Sequence, residues 1–263
     1  MCAFAANSVL ARAGVFVFGM EPLLFAGVRL ASGAVILAVL VLMRGGFVRV
    51  SPARLITAST LLLYLIPFSI AYVTLPSGVG ALMLFGVVQL TMFGGSYLSG
   101  MQPSLRQWGG MAIAMAGLGW LLWPSEHLTL DAIGVAFMVL SGFGWGVFSM
   151  RGRGSTDPLG DMALSFILCA PVAAVLIATG GGWSLGGVAA AMVSGAVSSG
   201  LGYALWYRVL PQVAATTSAV AQLSVPVIAI IAGAVLLGEV ITFGVIAASA
   251  IVLGGIAVSV LRR

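Results

Sequence analysis

The chain has 263 residues, 61% hydrophobic and 6% charged, with a mean hydropathy of +1.20. A soluble domain carries about 25% charged residues, so this composition excludes a soluble enzyme, a nucleic-acid-binding domain and a disulfide scaffold. The formal charge of +5 is the balance of 11 basic residues, all arginine, against six acids, and the arginines are scattered singly between apolar runs, where they act as orientation signals.

Ten apolar segments separate at Gly, Pro and charged punctuation: 1–18, 22–43, 55–73, 77–99, 105–123, 130–150, 162–179, 187–207, 214–237 and 242–261. A bilayer helix needs about 20 apolar residues, and the runs lack the period-two alternation of a β-barrel strand. The expectation is an all-α integral membrane protein with ten transmembrane helices. The start has no basic leader and meets Asn7, Ser8 and Arg12 early, so the first run reads as a span and not a cleavable signal peptide. That span looks short, as a truncated start would make it. With both termini cytoplasmic, one side receives Arg44, Arg49, Arg54, Arg106, Arg151, Arg153, Arg208, Arg262 and Arg263, and the other carries Glu21, Glu126, Asp131 and Glu239. This is a positive-inside pattern.

Displacing the sequence by about 138 residues against itself lays Ser77-Gly78-Val79-Gly80-Ala81 over Ala215-Thr216-Thr217-Ser218-Ala219, and Gly117 over Gly255. Each half, 1–123 and 130–263, then holds five spans. An odd number forces the second copy into the membrane upside down, the inverted repeat that secondary transporters use.

Several segments resemble the drug/metabolite transporter superfamily, specifically its EamA-like members. They are Ser8-Val9-Leu10-Ala11-Arg12, Pro22 to Arg29, Ala219 to Glu239 with Pro226 ahead of Gly238-Glu239, and Gly254-Gly255. The first half departs from the second at Val88 against Pro226 and Met101 against Glu239. The resemblance implies ten helices in two inverted five-helix repeats, an inner-membrane location and export of amino acids or related small solutes.

Arg12 and Arg29 are the informative charges, because an arginine at membrane depth faces protein or a water-filled cavity. Each can bind the carboxylate of a substrate through its guanidinium fork, or serve structurally by binding helix-end carbonyls or lipid headgroups. All six acids fall at helix ends or in connections, so a mid-span titratable group is missing; Glu239 or Asp161 could reach a vestibule. Gln89 and Gln222 hold related places in the two repeats, and Asn7, Ser8, Tyr64, Trp145, Tyr203 and Ser224 add polar groups and aromatic walls. Trp206, beside Arg208, reads as part of an interfacial belt. Gly142, Gly144 and Gly146, and Gly195 with Ser198, Ser199 and Gly202, read as small faces for close helix packing. Pro67, Pro171 and Pro226 are expected to kink their spans.

Cys2 and Cys169 lack paired spacing and His127 stands in a polar connection, so neither metal nor cofactor is expected. The expected partners are a small-molecule substrate and the lipid bilayer, with no nucleic acid; a monomer suffices, and a homodimer is compatible. The leading function is a secondary transporter of a small carboxylate-bearing solute working by alternating access. The alternatives are a lipid-carrier or drug flippase of the same fold and a non-transporting scaffold subunit. An intramembrane enzyme would need a nucleophile, base or metal ligands at membrane depth, which this chain does not supply.

Overall fold

A computed structural model describes residues 1–46, 49–100, 102–123, 130–152, 155–209, 212 and 215–260, with the side chains of Tyr207 and 215–220 left aside. His127, Glu126, Met101, Arg153, Arg262 and Arg263 lie outside the described residues. Among those described, the structure is helical with no strand. The spans are, in order, Cys2–Val17, Pro22–Arg44, Pro52–Ala71, Ser77–Leu98, Leu105–Leu122, Ala132–Gly152, Pro158–Thr179, Leu185 to Val209, Ala215–Leu237 and Phe243–Val260. Seven helices among the described residues are long and apolar enough to cross a membrane by length and composition.

Local signals explain the ends. Pro22, Pro52 and Pro158 stand in the first turns of the second, third and seventh spans, where a missing N–H costs nothing. Ser51, Ser104, Asp157 and Ser184 accept a backbone N–H at N-cap positions. Gly45 closes the second span in the left-handed region at φ 106°.

Three spans are not plain α-helix. The first turns into a π-helix over Ala13–Val17, and the eighth carries one over Ser194–Leu201 between α-helices Leu185–Val193 and Gly202–Val209. The seventh breaks at Cys169 into Pro158–Leu168 and Ala170–Thr179, as Pro171 requires. Pro67 and Pro226 sit inside continuous helices.

Packing sets the second span against both the seventh and the eighth, the fourth against the ninth and the fifth against the tenth. The third lies on the sixth and the first on the eighth; the sixth also touches the fourth, and the first the ninth. The alternating glycines of the sixth span serve two neighbours. A Cβ on Gly142 or Gly146 would press on Val87 or Thr91 of the fourth span, and one on Gly144 would lie 2.8 Å from the Tyr64 nitrogen of the third. Gly110 and Gly255 bring the fifth and tenth spans into backbone contact, a Cβ on Gly255 falling 2.6 Å from the Gly110 carbonyl oxygen. Small residues thus set the helix spacing, as expected in lipid.

Two ion pairs, Arg44 to Asp157 at 2.5 Å and Arg54 to Asp161 at 2.7 Å, tie the second, third and seventh spans together at the arginine-rich end. Asp157 also caps its own helix, and the adjoining Arg44 guanidinium holds its carboxyl below the ordinary carboxylate value. Cys169 is buried with its thiol toward the Ala58 carbonyl, and Cys2 is exposed; the two are unpaired.

Candidate functional site

Arg29 stands seven residues into the second span, about 10 Å of helical rise from its start. It is fully buried, at 0% exposure. Its Nη2 donates to the Tyr64 hydroxyl at 3.0 Å and to Ser199 Oγ at 3.2 Å, and Nε also points to Ser199 Oγ at 3.4 Å. The guanidinium lies 4.8 Å from the Phe68 ring centroid and 5.4 Å from that of Tyr64. Nη1 is buried and has no hydrogen-bond partner among the described residues. No carboxylate pairs with this charge: the described ion pairs engage Arg12, Arg44 and Arg54 only.

The backbone permits this arrangement through Gly195 in the π-helix of the eighth span. A Cβ there would collide with the Ser32 hydroxyl and the Arg29 carbonyl oxygen. The same π-helix brings Ser194 and Ser199 to the Asn7 side chain, whose Oδ1 accepts from them at 2.8 and 3.4 Å. Three spans therefore meet at Arg29 through one hydroxyl, and π-helical turns of this kind recur at functional sites.

An aromatic wall extends from the arginine. Tyr64 lies 4.8 Å from Trp145, and Trp145 stacks on Tyr203 at 5.2 Å and on Phe148 at 5.4 Å. Tyr203 leads on to Phe4 at 5.4 Å, and Phe4 meets Trp206 edge-on at 6.0 Å. Trp206 is thus half-buried against the first span, and Trp145 and Tyr203 are walls of the centre.

Arg12 belongs to a second cluster. Its Nη1 donates to the Tyr72 and Val73 carbonyl oxygens at 3.0 and 2.8 Å, where the third span ends. Its Nε stands 3.5 Å from Glu239 Oε1, and its guanidinium covers the Phe16 ring at 3.5 Å. Glu239 accepts from the Ser77 backbone N–H at 2.8 and 2.9 Å and from the Ser77 hydroxyl at 2.6 Å. The Glu239 side chain thus lies between the start of the fourth span and the Arg12 guanidinium. Gly238 makes the turn at φ +67°, and the Glu239 N–H returns to the Gly233 carbonyl oxygen at 3.2 Å. A Cβ at Gly233 would collide with the Ser77 hydroxyl and the Glu239 carboxylate. The Gly238-Glu239 pair is therefore one device: glycine reverses the chain and glutamate reaches inward to join the first, third and fourth spans.

The remaining expected residues divide. Asn7, Tyr64, Trp145 and Tyr203 join Arg29, and Ser8 is buried one residue beyond Asn7. Gln89 and Gln222 are half-buried, and none of the described hydrogen bonds involves either amide. Ser224 returns its hydroxyl to the Ala221 carbonyl oxygen at 2.6 Å on its own helix. Asp161 stays at the arginine-rich end with Arg54. A cleft there, lined by Thr57, Phe148, Asp161 and Ser165, measures about 20 Å³, room for little more than a water. The sequence reading takes Ser199 only as a packing residue and Ser77 only as part of the repeat match, and it passes over Phe68. The two hydroxyls in apolar spans were the signal that their partners lie on other helices.

Residues 132–261 match the model of the EamA-like transporter family. An uncharacterized protein of Pseudomonas aeruginosa is 41% identical over 268 residues, covering 100% of this chain and 92% of the relative. The chain belongs to the EamA-like transporter family. The uncharacterized inner membrane transporter YedA of Escherichia coli K12 is 28% identical over 165 residues, which cover 60% of this chain and 53% of YedA. A crystal structure 18% identical in sequence covers 99% of this chain and 97% of its own, with a TM-score of 0.69. It supports the fold alone. The protein is thus a membrane transporter of the drug/metabolite type, an all-α ten-span member of that family.

Proposed function

We propose that this EamA-like protein is an inner-membrane secondary transporter that carries a small carboxylate-bearing metabolite by alternating access. The observation that carries the reading is the buried Arg29, whose Nη1 has no hydrogen-bond partner among the described residues. A guanidinium does not deprotonate in a protein, and an uncompensated buried charge costs several kcal/mol. A substrate carboxylate completes that site, and an inverted repeat places such a site between its halves.

The helix pairing supports two five-span halves, 1–123 and 130–263. Each of the pairs second–seventh, fourth–ninth and fifth–tenth joins span n to span n + 5, and third–sixth has its counterpart in eighth–first. In this reading the Arg12–Glu239–Ser77 cluster seals the outer mouth, and the arginine-rich end faces the cytoplasm together with both termini. Rocking of the halves breaks the seal and exposes Arg29 outward, giving export when the substrate is supplied from within. One chain contains the whole path.

Counterflow in proteoliposomes tests the proposal, with a panel of amino acids, organic acids, nucleosides and amines. Accumulation of carboxylate-bearing solutes is expected. Accumulation of amines alone would remove Arg29 from the substrate path, and a folded protein that moves nothing on the panel would favour a scaffold role.

A further inference from the structure

The same site restricts the charge of what it carries, an inference that rests on the transport reading above. We infer that the substrate is a monoanion: a single carboxylate on an uncharged, partly apolar body, without an ammonium group and without a second acid.

Donor arithmetic gives the first half. A guanidinium has five N–H groups. Nη2 and Nε of Arg29 are committed to the Tyr64 hydroxyl and Ser199 Oγ, which leaves only the two N–H groups of Nη1. One carboxylate fits this remainder. A phosphate or dicarboxylate, with two charges and more acceptor oxygens, would bring a second charge to a centre holding one cation.

The second half concerns what an ammonium would meet. Every described acid is engaged elsewhere. Glu21 accepts from the Gly181 N–H, Asp131 from the Gly134 N–H, Asp157 from Arg44, Asp161 from Arg54, and Glu239 from Ser77 and Arg12. The Asn7 carbonyl already accepts from Ser194 and Ser199. The aromatic rings that could receive a cation are also occupied: Phe68 and Tyr64 face Arg29, and Trp145 stacks on Tyr203 and Phe148. Bringing an ammonium beside Arg29 adds like-charge repulsion in a low dielectric. The aromatic wall suits an uncharged body instead.

The test is a ligand series with a constant tail, read as the shift in unfolding midpoint of the detergent-solubilised full chain. The isobutyl set is 2-hydroxy-4-methylpentanoate, leucine, 3-methylbutylamine and isobutylmalonate; the benzyl and methyl sets repeat the same head groups. A ligand that binds only the folded protein raises the midpoint in proportion to ln(1 + [L]/Kd). The expected result is a rise that follows this logarithmic law with the 2-hydroxy monocarboxylates, with amino acids, amines and dicarboxylates at least tenfold weaker in apparent Kd. Arg29→Gln should abolish the rise, and Arg29→Lys should restore part of it. Equal response to leucine or to the dicarboxylate overturns the monoanion assignment. So does a response unaffected by Arg29→Gln, or none from any monocarboxylate. The transport reading stands or falls separately, on whether the wild-type protein shows counterflow of any solute.

Discussion

Arg12 and Arg29 are both arginines buried in the first two spans, and their surroundings have opposite consequences. Arg12 is surrounded by acceptors: two carbonyl oxygens at a helix end and the Glu239 carboxylate. Its charge is neutralised, and the group works as a clasp. Arg29 has two hydroxyls, two aromatic faces and an N–H pair left over. On the proposed transport reading, the arginine left without a carboxylate is the one that receives the substrate. The lesson concerns acceptor supply more than depth.

The largest effect should come from Arg29→Leu. Removing one partner of a buried, hydrogen-bonded charge pair costs about 2–5 kcal/mol in binding, so carboxylate flux should fall about thirtyfold or more. Stability should move little or upward, because removing an uncompensated buried charge relieves a desolvation cost of roughly several kcal/mol. The freed Tyr64 and Ser199 hydroxyls would give back roughly 1–3 kcal/mol of that.

Glu239→Gln strikes the opposite cluster and should reverse the pattern. Hydrogen bonds to a charged group are worth about 1.5–3 kcal/mol, so the seal should loosen while Arg29 keeps its partners. Labelling by an impermeant maleimide of a cysteine placed at the buried Val79, with Cys2 and Cys169 replaced by Ser, should rise severalfold. Unchanged labelling would show that this end is held without Glu239.

Gly233→Ala should act on the same seal by shape alone, since the new methyl group collides with Ser77 and Glu239. Overpacking costs about 1–3 kcal/mol, and the same cysteine should become more reactive. If it does not, the fourth and ninth spans can separate there without opening the mouth.

The smallest effect belongs to Asp157→Asn at the arginine-rich end. The pair is partly exposed, and exposed pairs contribute roughly 0–1 kcal/mol. The Asp157 carboxyl titrates below its ordinary value of 3.8 in the folded state, chiefly because of Arg44. Its contribution is therefore present above that ordinary value and lost as pH falls through the lower, folded one. Thermal unfolding of variant and wild type should differ slightly at neutral pH and converge below about pH 4.

The ten spans were legible because composition and punctuation act locally: Pro22, Pro52 and Pro158 mark helix starts, and long apolar runs mark what lies between. The π-helices were not legible, since Ala13–Val17 and Ser194–Leu201 have the same small and apolar residues as ordinary helix. The one at Ser194–Leu201 packs on the second span, and the one at Ala13–Val17 packs chiefly on the eighth. Of the site, Arg29, Tyr64, Trp145, Tyr203 and Asn7 were readable as polar or aromatic groups out of place in lipid. The separation of Arg12 from Arg29 was not, because it depends on Glu239, more than two hundred residues along the chain from Arg12. Gln89 and Gln222 show the converse. They hold related positions in the repeat, and the described hydrogen bonds of Arg29 reach neither.

The central claim is that Arg29 serves the substrate and not the fold. One paired measurement on Arg29→Leu addresses it most directly: counterflow of the best-accumulated carboxylate and the unfolding midpoint, both taken on the same purified preparation. Flux lost with a midpoint equal to or above that of the wild type is the predicted result. Flux retained, or flux and midpoint falling together, would contradict it.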